Sequence, residues 1–157
     1  ECKKQMINTA IETQGTTSLE NYEKLATCTD LFLFDIKQIN TDQLRQLFGI
    51  GNEGVKRNLE RLVDLGANIV IRMPLIRGHN DSYDSITGAF NYVMELAKRG
   101  NIQRIDVLPY HQFGKTKYDK LDMIYPITQD LGYSDDELDQ LSAFFTQFDF
   151  DIRLVRH

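Results

Sequence analysis

Five side chains that could do chemistry stand where apolar segments of this sequence run out. They are two carboxylates, two cations and an imidazole: Glu12, Asp35, Lys37, Arg72 and His111. Asp35 and Lys37 are two positions apart, so in a strand both would point to the same side. Brought together, these groups could hold a zwitterionic ligand or a metal ion. Their types alone name no reaction.

The same side chains admit a purely structural interpretation. Glu12 and Asp35 could be acids neutralised by the two cations, because buried charges persist only when they are paired. His111 could cap a backbone group, which is the commoner role of a single histidine. Placement at the ends of apolar segments leaves both interpretations open.

The elements that must position these residues have the pattern of parallel strands. Short stretches rich in Ile, Val, Leu and Phe predict strands over 6–13, 31–36, 68–76, 104–110 and 151–155. In most of them the apolar residues run on instead of alternating, as in parallel strands covered on both faces. The carboxyl ends of parallel strands meet at one edge of a sheet, so the five side chains are expected to converge.

Helical periodicity fills the intervals between the strands and predicts the order βα, βα, βα, β, loop, α, β. Thr17 with Glu20, and Ser134 with Glu137, match the capping-box pattern at a helix start. The segment 111–132 is predicted as a polar loop. The last helix is predicted to bury five apolar residues: Leu138, Leu141, Phe144, Phe145 and Phe148.

Composition and charge narrow the class of protein. The chain has 18 Lys+Arg against 23 Asp+Glu, a net charge of -5, which argues against a phosphate-neutralising nucleic-acid surface. No apolar run approaches the ~20 residues needed to cross a bilayer. The two cysteines, Cys2 and Cys28, are too few for a disulfide framework, so a reducing, cytoplasmic setting is expected.

The α/β class admits two architectures at a length of 157 residues. Four parallel strands could form a small open sheet. Because (β/α) barrels need about 200 residues or more, the chain could equally be the later half of one. The sequence begins at Glu1 with no initiator Met, so we expect a piece of a longer protein.

Four motifs follow one another along the chain. They are Leu-Phe-Asp-Ile-Lys at 33–37, Leu-Phe-Gly-Ile-Gly-Asn at 47–52, Ile-Arg-Met-Pro-Leu-Ile-Arg-Gly at 71–78 followed by Asn-Asp-Ser at 80–82, and Leu-Pro-Tyr-His-Gln-Phe-Gly-Lys-Thr-Lys-Tyr at 108–118. Together they resemble the glycyl-radical enzyme activating enzymes, which are radical S-adenosylmethionine (SAM) enzymes. Four motifs in the right order are a far more specific signal than one.

The resemblance implies a fold with a part missing. It implies a partial, TIM-like (β/α)6 barrel in which this chain supplies the third to sixth strands, as a single incomplete domain over 1–157. The family's Cys-x3-Cys-x2-Cys loop, which binds three irons of a [4Fe–4S] cluster, does not occur in the sequence. The chain is therefore expected to be a C-terminal portion that is inactive alone.

The resemblance also implies roles for the five side chains. It matches Asp35, Lys37, Arg72 and His111 to SAM-contacting or active-site positions, and Glu12 with Asp35 to a site for a monovalent cation beside the SAM carboxylate. It assigns no catalytic residue to this chain. Glu12 stands in Glu-Thr-Gln-Gly (12–15), where the family often has Asp-Thr-Asn-Gly, so the carboxylate at this position has a longer side chain.

For the complete enzyme the resemblance implies reductive cleavage of SAM and abstraction of a glycine hydrogen from a partner such as pyruvate formate-lyase. The implied electron donor is a flavodoxin or ferredoxin. Two other functions stay open. One is a different radical SAM or barrel enzyme acting on a small molecule. The other is a non-catalytic α/β binding module whose strand-end charges are structural.

Overall fold

A parallel sheet forms the centre of the computed structural model, which describes residues 1–48, 51–125, 127 and 129–156. The spatial order of the five strands equals their order along the chain: β1 (Ala10–Thr13), β2 (Leu31–Asp35), β3 (Ile69–Leu75), β4 (Ile102–Pro109) and β5 (Ile152–Leu154). The predicted α/β class and parallel pairing are confirmed. The resemblance implied four barrel strands, and the short β5 makes a fifth in this sheet.

Among the described residues, six α-helices connect the strands: α1 (Leu19–Ala26), α2 (Thr41–Phe48), α3 (Glu53–Asp64), α4 (Tyr83–Ala97), α5 (Lys115–Lys120) and α6 (Asp135–Phe145). The sequence pattern predicted α1, α3, α4 and α6. It missed α2 and α5. The missed α5 has only six residues and buries none of them, so it carries no apolar stripe from which a helical period could be read.

The two faces of the sheet have different surroundings. Crossovers of the usual right hand, joining neighbouring strands in sequence, place their helices on one face. Phe32, Phe34 and Ile71 are almost fully buried on that face. The alternate residues Asp35 and Arg72 are partly exposed on the other face. We call this second side the polar face.

The first strand is shorter than predicted. Residues Cys2–Gln5 form a 3-10 turn, and Met6 adopts a left-handed backbone conformation with φ 54°. Pairing with β2 begins only after Thr9, whose backbone N–H donates to Asp30 at 2.8 Å. Among the described residues β1 pairs with β2 alone, so its outer edge is open, as expected for the first strand.

One of the two predicted capping boxes is confirmed. Ser134 and Glu137 each accept from the other's backbone N–H at the start of α6. The Thr17–Glu20 box is wrong, because α1 begins one residue later with Ser18 as its N-cap. In α6, Leu141 and Phe145 are buried as predicted, while Leu138 and Phe144 are partly buried against the core. Phe148 is also partly buried there, but it lies three residues beyond the end of the helix.

Within the described segments, no helix combines the length and the apolar character needed to cross a membrane.

Candidate functional site

The centre of the candidate site is a guanidinium held between two carboxylates. Asp35 and Arg72 are directly paired positions of β2 and β3. Nε and Nη2 of Arg72 each lie 2.9 Å from Oδ1 of Asp35, and Nη1 lies 2.8 Å from Oε1 of Glu12. Three of the five predicted side chains are therefore in contact.

Burial is uneven across this ion triad. The side chain of Asp35 is 14% exposed and that of Arg72 22%, whereas Glu12 on the edge strand is 65% exposed. Burial lowers the pKa of the Arg72 guanidinium, but the hydrogen bonds to Asp35 and Glu12 outweigh that effect, and the pKa is raised overall. Arg72 is therefore a permanent cation, and the structural pairing foreseen for the two acids is present.

Lys37 has a different partner from the one considered in the structural interpretation. Its Nζ donates to Oε1 of Gln14 at 2.6 Å, which links the end of β2 to the loop after β1. Gln14 is neutral, so this contact does not compensate the charge of the exposed ammonium. Lys37 thus presents a positive charge beside the Glu12–Arg72–Asp35 triad.

His111 lies at the same carboxyl end of the sheet as the ion triad, but it follows β4, beyond the level of Arg72. Arg72 is level with Asp106 of β4, and β4 ends at Pro109. The backbone N–H of Tyr110 still bonds the carbonyl of Leu75, so β4 stays beside the end of β3 up to the residue before His111. The histidine is exposed at this edge.

The polar face carries two further charged residues, Arg104 and Asp106, which were not among the predicted site residues. Arg104 donates from Nε and Nη2 to the two carboxylate oxygens of Asp106, at 2.9 and 3.2 Å. In the strand register, Asp106 of β4 is level with Arg72 of β3 on one side and with Arg153 of β5 on the other. A row of alternating charge therefore crosses four strands. The spacing of Arg104 and Asp106 does indicate a shared face, since they are two apart within a predicted strand. They lie inside the strand rather than at its carboxyl end, where the other charged residues were found.

A cavity of about 140 Å³ adjoins Asp35, Lys37 and Gln14. The remainder of its lining is mainly apolar, with Leu44 of α2 and Val55 of α3 among the contributors. Part of the 47–52 motif, positions 49 and 50, lies outside the described residues. The cavity places a small apolar volume next to the charged group at the end of β2.

The residues present do not fit an iron–sulfur cluster. Cys2 and Cys28 are both free and exposed, and they are 26 positions apart rather than in a three-cysteine loop. Among the described residues no group of three or more His, Cys, Asp or Glu side chains could hold a metal ion. Glu12 and Asp35, the pair predicted for a cation, both bind Arg72.

Solved structures identify the class of fold. A domain of the pyruvate-formate lyase-activating enzyme from Bacteroides vulgatus ATCC 8482 matches 99% of this chain and 85% of its own, with a TM-score of 0.74 and 21% identity. At that identity the match shows the fold, an α/β sheet of the kind used by such activating enzymes. No protein-family model matches the chain.

Curated sequence relatives are activating enzymes of glycyl-radical enzymes. The choline trimethylamine-lyase activating enzyme of Oleidesulfovibrio alaskensis is 40% identical over 156 residues, 99% of this chain. The trans-4-hydroxy-L-proline dehydratase activating enzyme of Clostridioides difficile is 38% identical over 153 residues, 98% of this chain. The chain spans about half the length of these relatives, 50% in each case. It is homologous to the glycyl-radical enzyme activating enzymes, which confirms the resemblance.

Proposed function

We propose that this chain is the SAM-binding portion of a glycyl-radical enzyme activating enzyme. The observation that carries the proposal is 40% identity to such an enzyme across 99% of the chain. The structure supports it with a charged group at the carboxyl ends of parallel strands, the edge at which ligands bind in α/β folds. Because the chain spans half of its relatives, the activity belongs to a larger whole.

The side chains present suit a sulfonium amino acid. SAM carries a carboxylate, an ammonium and a sulfonium, so it needs both cationic and anionic neighbours. In this proposal Asp35, Lys37, Arg72 and His111 hold it. Arg72 is already bound to two carboxylates, so a ligand carboxylate would bind the Lys37 ammonium or replace Glu12 at the exposed side of Arg72. Once bound beside a reduced cluster, SAM supplies the radical chemistry.

The Glu12–Asp35 pair is proposed to take a monovalent cation beside the SAM carboxylate. Both carboxylates converge on Arg72, so a cation would share them with the guanidinium. The long, 65% exposed side chain of Glu12 has the freedom to turn toward such an ion. Comparing SAM affinity in sodium, potassium and tetramethylammonium buffers tests this site, and equal affinities in all three would refute it.

The cluster is proposed to be held by residues outside this chain, since Cys2 and Cys28 do not fit it. The coding sequence upstream of Glu1 is expected to contain Cys-x3-Cys-x2-Cys. The proposed partner is a glycyl-radical enzyme, such as a pyruvate formate-lyase, with a flavodoxin or ferredoxin as electron donor in the cytoplasm. An upstream reading frame without three clustered cysteines would refute the proposal.

The direct test is formation of a glycyl radical. The full-length protein, including the segment encoded upstream of Glu1, is loaded with iron and sulfide under anaerobic conditions. It is mixed with SAM, a reductant and a candidate glycyl-radical enzyme and followed by electron paramagnetic resonance. We expect a radical signal that Arg72→Gln abolishes. Arg99→Gln is the matched control, since Arg99 also binds an aspartate, Asp64, at 2.9 Å, but on the exposed surface. SAM cleavage without a radical on any partner would instead favour a small-molecule substrate.

A further inference from the structure

Asn80 is a buried amide that joins the ends of two strands carrying the candidate site. It lies just beyond β3, and it is only 4% exposed. Its Nδ2 donates to the backbone carbonyls of Lys37 and of Pro74, both at 2.7 Å, and its Oδ1 accepts from the backbone N–H of Ile76, also at 2.7 Å. Both amide protons and the carbonyl oxygen are thus used.

These bonds begin where regular pairing of β2 with β3 stops. The last backbone bond there is from the N–H of Ile36 to the carbonyl of Arg72, at 2.8 Å. Lys37 lies one residue further on, where the ladder offers its carbonyl no neighbour from β3. The side chain of Asn80 supplies that neighbour and continues the pairing beyond the ladder.

A second asparagine makes a similar bond at the opposite end of the same two strands. Asn68 precedes β3, and its Nδ2 donates to the backbone carbonyl of Asp30, which precedes β2, at 2.9 Å. Asn68 is partly buried and lies far from the charged group. The two asparagines therefore form a matched pair, one at each end of the β2–β3 interface.

We propose that Asn80 is a positioning residue for Lys37. It fixes the backbone from which Lys37 extends toward Gln14, and thereby the ammonium that the proposed SAM site uses. This inference rests on the proposed function. A residue that only stabilised the fold would affect stability without changing ligand affinity in molecules that remain folded. A positioning residue would change both.

The test compares Asn80→Ala with Asn68→Ala through two measurements on the purified full-length protein, including the segment encoded upstream of Glu1, at a temperature where circular dichroism shows both variants folded. The first is amide hydrogen exchange by NMR. Asn80→Ala should accelerate exchange at Ile36 by about tenfold and leave Phe32 unchanged, the loss expected when a buried hydrogen bond is removed. Asn68→Ala should do the reverse, because the Phe32 N–H bonds the carbonyl of Asn68 at 2.9 Å.

The second measurement is SAM affinity by titration calorimetry. Asn80→Ala should weaken binding by about tenfold, while Asn68→Ala should change it by less than about twofold. Unchanged exchange at Ile36, or equal affinities in the two variants, would overturn the positioning role. If the parent protein does not bind SAM at all while exchange at Ile36 still responds to Asn80→Ala, the proposed function fails and the positioning role fails with it. The hydrogen bonds of Asn80 would then serve only to stabilise the ends of β2 and β3.

Discussion

Arg72 and Asp35 are level with each other on neighbouring parallel strands, and the guanidinium of Arg72 approaches Oδ1 of Asp35 through two nitrogens at 2.9 Å. The same guanidinium binds Glu12 of a third strand through Nη1. One cation thus joins β1, β2 and β3 on the polar face. Glu12 and Asp35 therefore stabilise the sheet through Arg72, in addition to any role that they have in ligand binding.

Removing the central cation should therefore destabilise the fold. In Arg72→Met the Asp35 carboxylate, 14% exposed, loses its partner. We expect a loss of about 1–3 kcal/mol in the free energy of unfolding, measured by urea denaturation, because an unpaired, partly buried charge is costly. Arg99→Met, on an exposed pair, should cost less than about 1 kcal/mol. Adding Asp35→Asn to Arg72→Met should recover part of the loss, and strict additivity would contradict the pairing.

Acid should weaken the attachment of α6. Hydrogen bonds from Arg77, and then from Ser134, lower the pKa of Glu137 to about 2 from an ordinary 4.5. This stabilisation is fully present above pH 4.5 and is lost as the pH falls toward 2. Thermal unfolding should show a steeper loss of stability over that window in the parent protein than in Glu137→Gln. Glu95→Gln, which removes an exposed pair with Lys98, is the control and should follow the parent curve.

Gly15 should not tolerate a side chain. Its φ is +76°, and a Cβ would overlap the Phe34 ring and lie 2.9 Å from Cγ1 of Val55. Gly15→Ala should cost about 2 kcal/mol or more in the free energy of unfolding, through backbone strain and overpacking. In Gly54→Ala the nearest atom is 3.9 Å away, within α3, and this change should add up to about 1 kcal/mol of stability. Equal effects of the two changes would refute the packing argument.

The raised pKa of Tyr110, next to His111, should depend on the hydroxyl of Tyr125. The hydroxyls of Tyr110 and Tyr125 are 2.6 Å apart, and this hydrogen bond raises the pKa of Tyr110 to about 12. Tyr125→Phe should return that pKa toward 10, as measured by carbon NMR of ring-labelled tyrosine. The raised pKa stabilises the fold below pH 10, and the effect fades as the pH rises toward 12. Tyr83→Phe, on an exposed ring, should leave the Tyr110 pKa unchanged.

Continuous apolar stretches were sufficient to predict the sheet, because a strand buried on one face and half-covered on the other still excludes most polar residues. The same rule failed at 6–9. Met6 and Ile7 are apolar but exposed, 92% and 57%, and precede the strand rather than extend it. Hydrophobicity predicts burial only where a neighbouring element exists to cover the residue.

The candidate site could be predicted as a set of residues but not as a set of contacts. Strand-end placement named Glu12, Asp35 and Arg72, which do meet. It could not show that Lys37 binds Gln14, because that contact depends on how the loop after β1 turns at Gly15. The role proposed for Asn80 could not be predicted either, since its partners are backbone groups, which are the same whatever the types of the neighbouring residues.

Strand order in this sheet equals chain order from β1 to β5. Each described connection joins two strands that are neighbours in the sheet, so a further strand could be added at either edge without changing the path of the chain. A strand contributed from before β1, or from after β5, could dock beside its neighbour in sequence while the existing pairings stay as they are. The sheet could therefore be extended at both edges, and a larger barrel could form by adding strands beside β1 and β5 without changing the existing pairings.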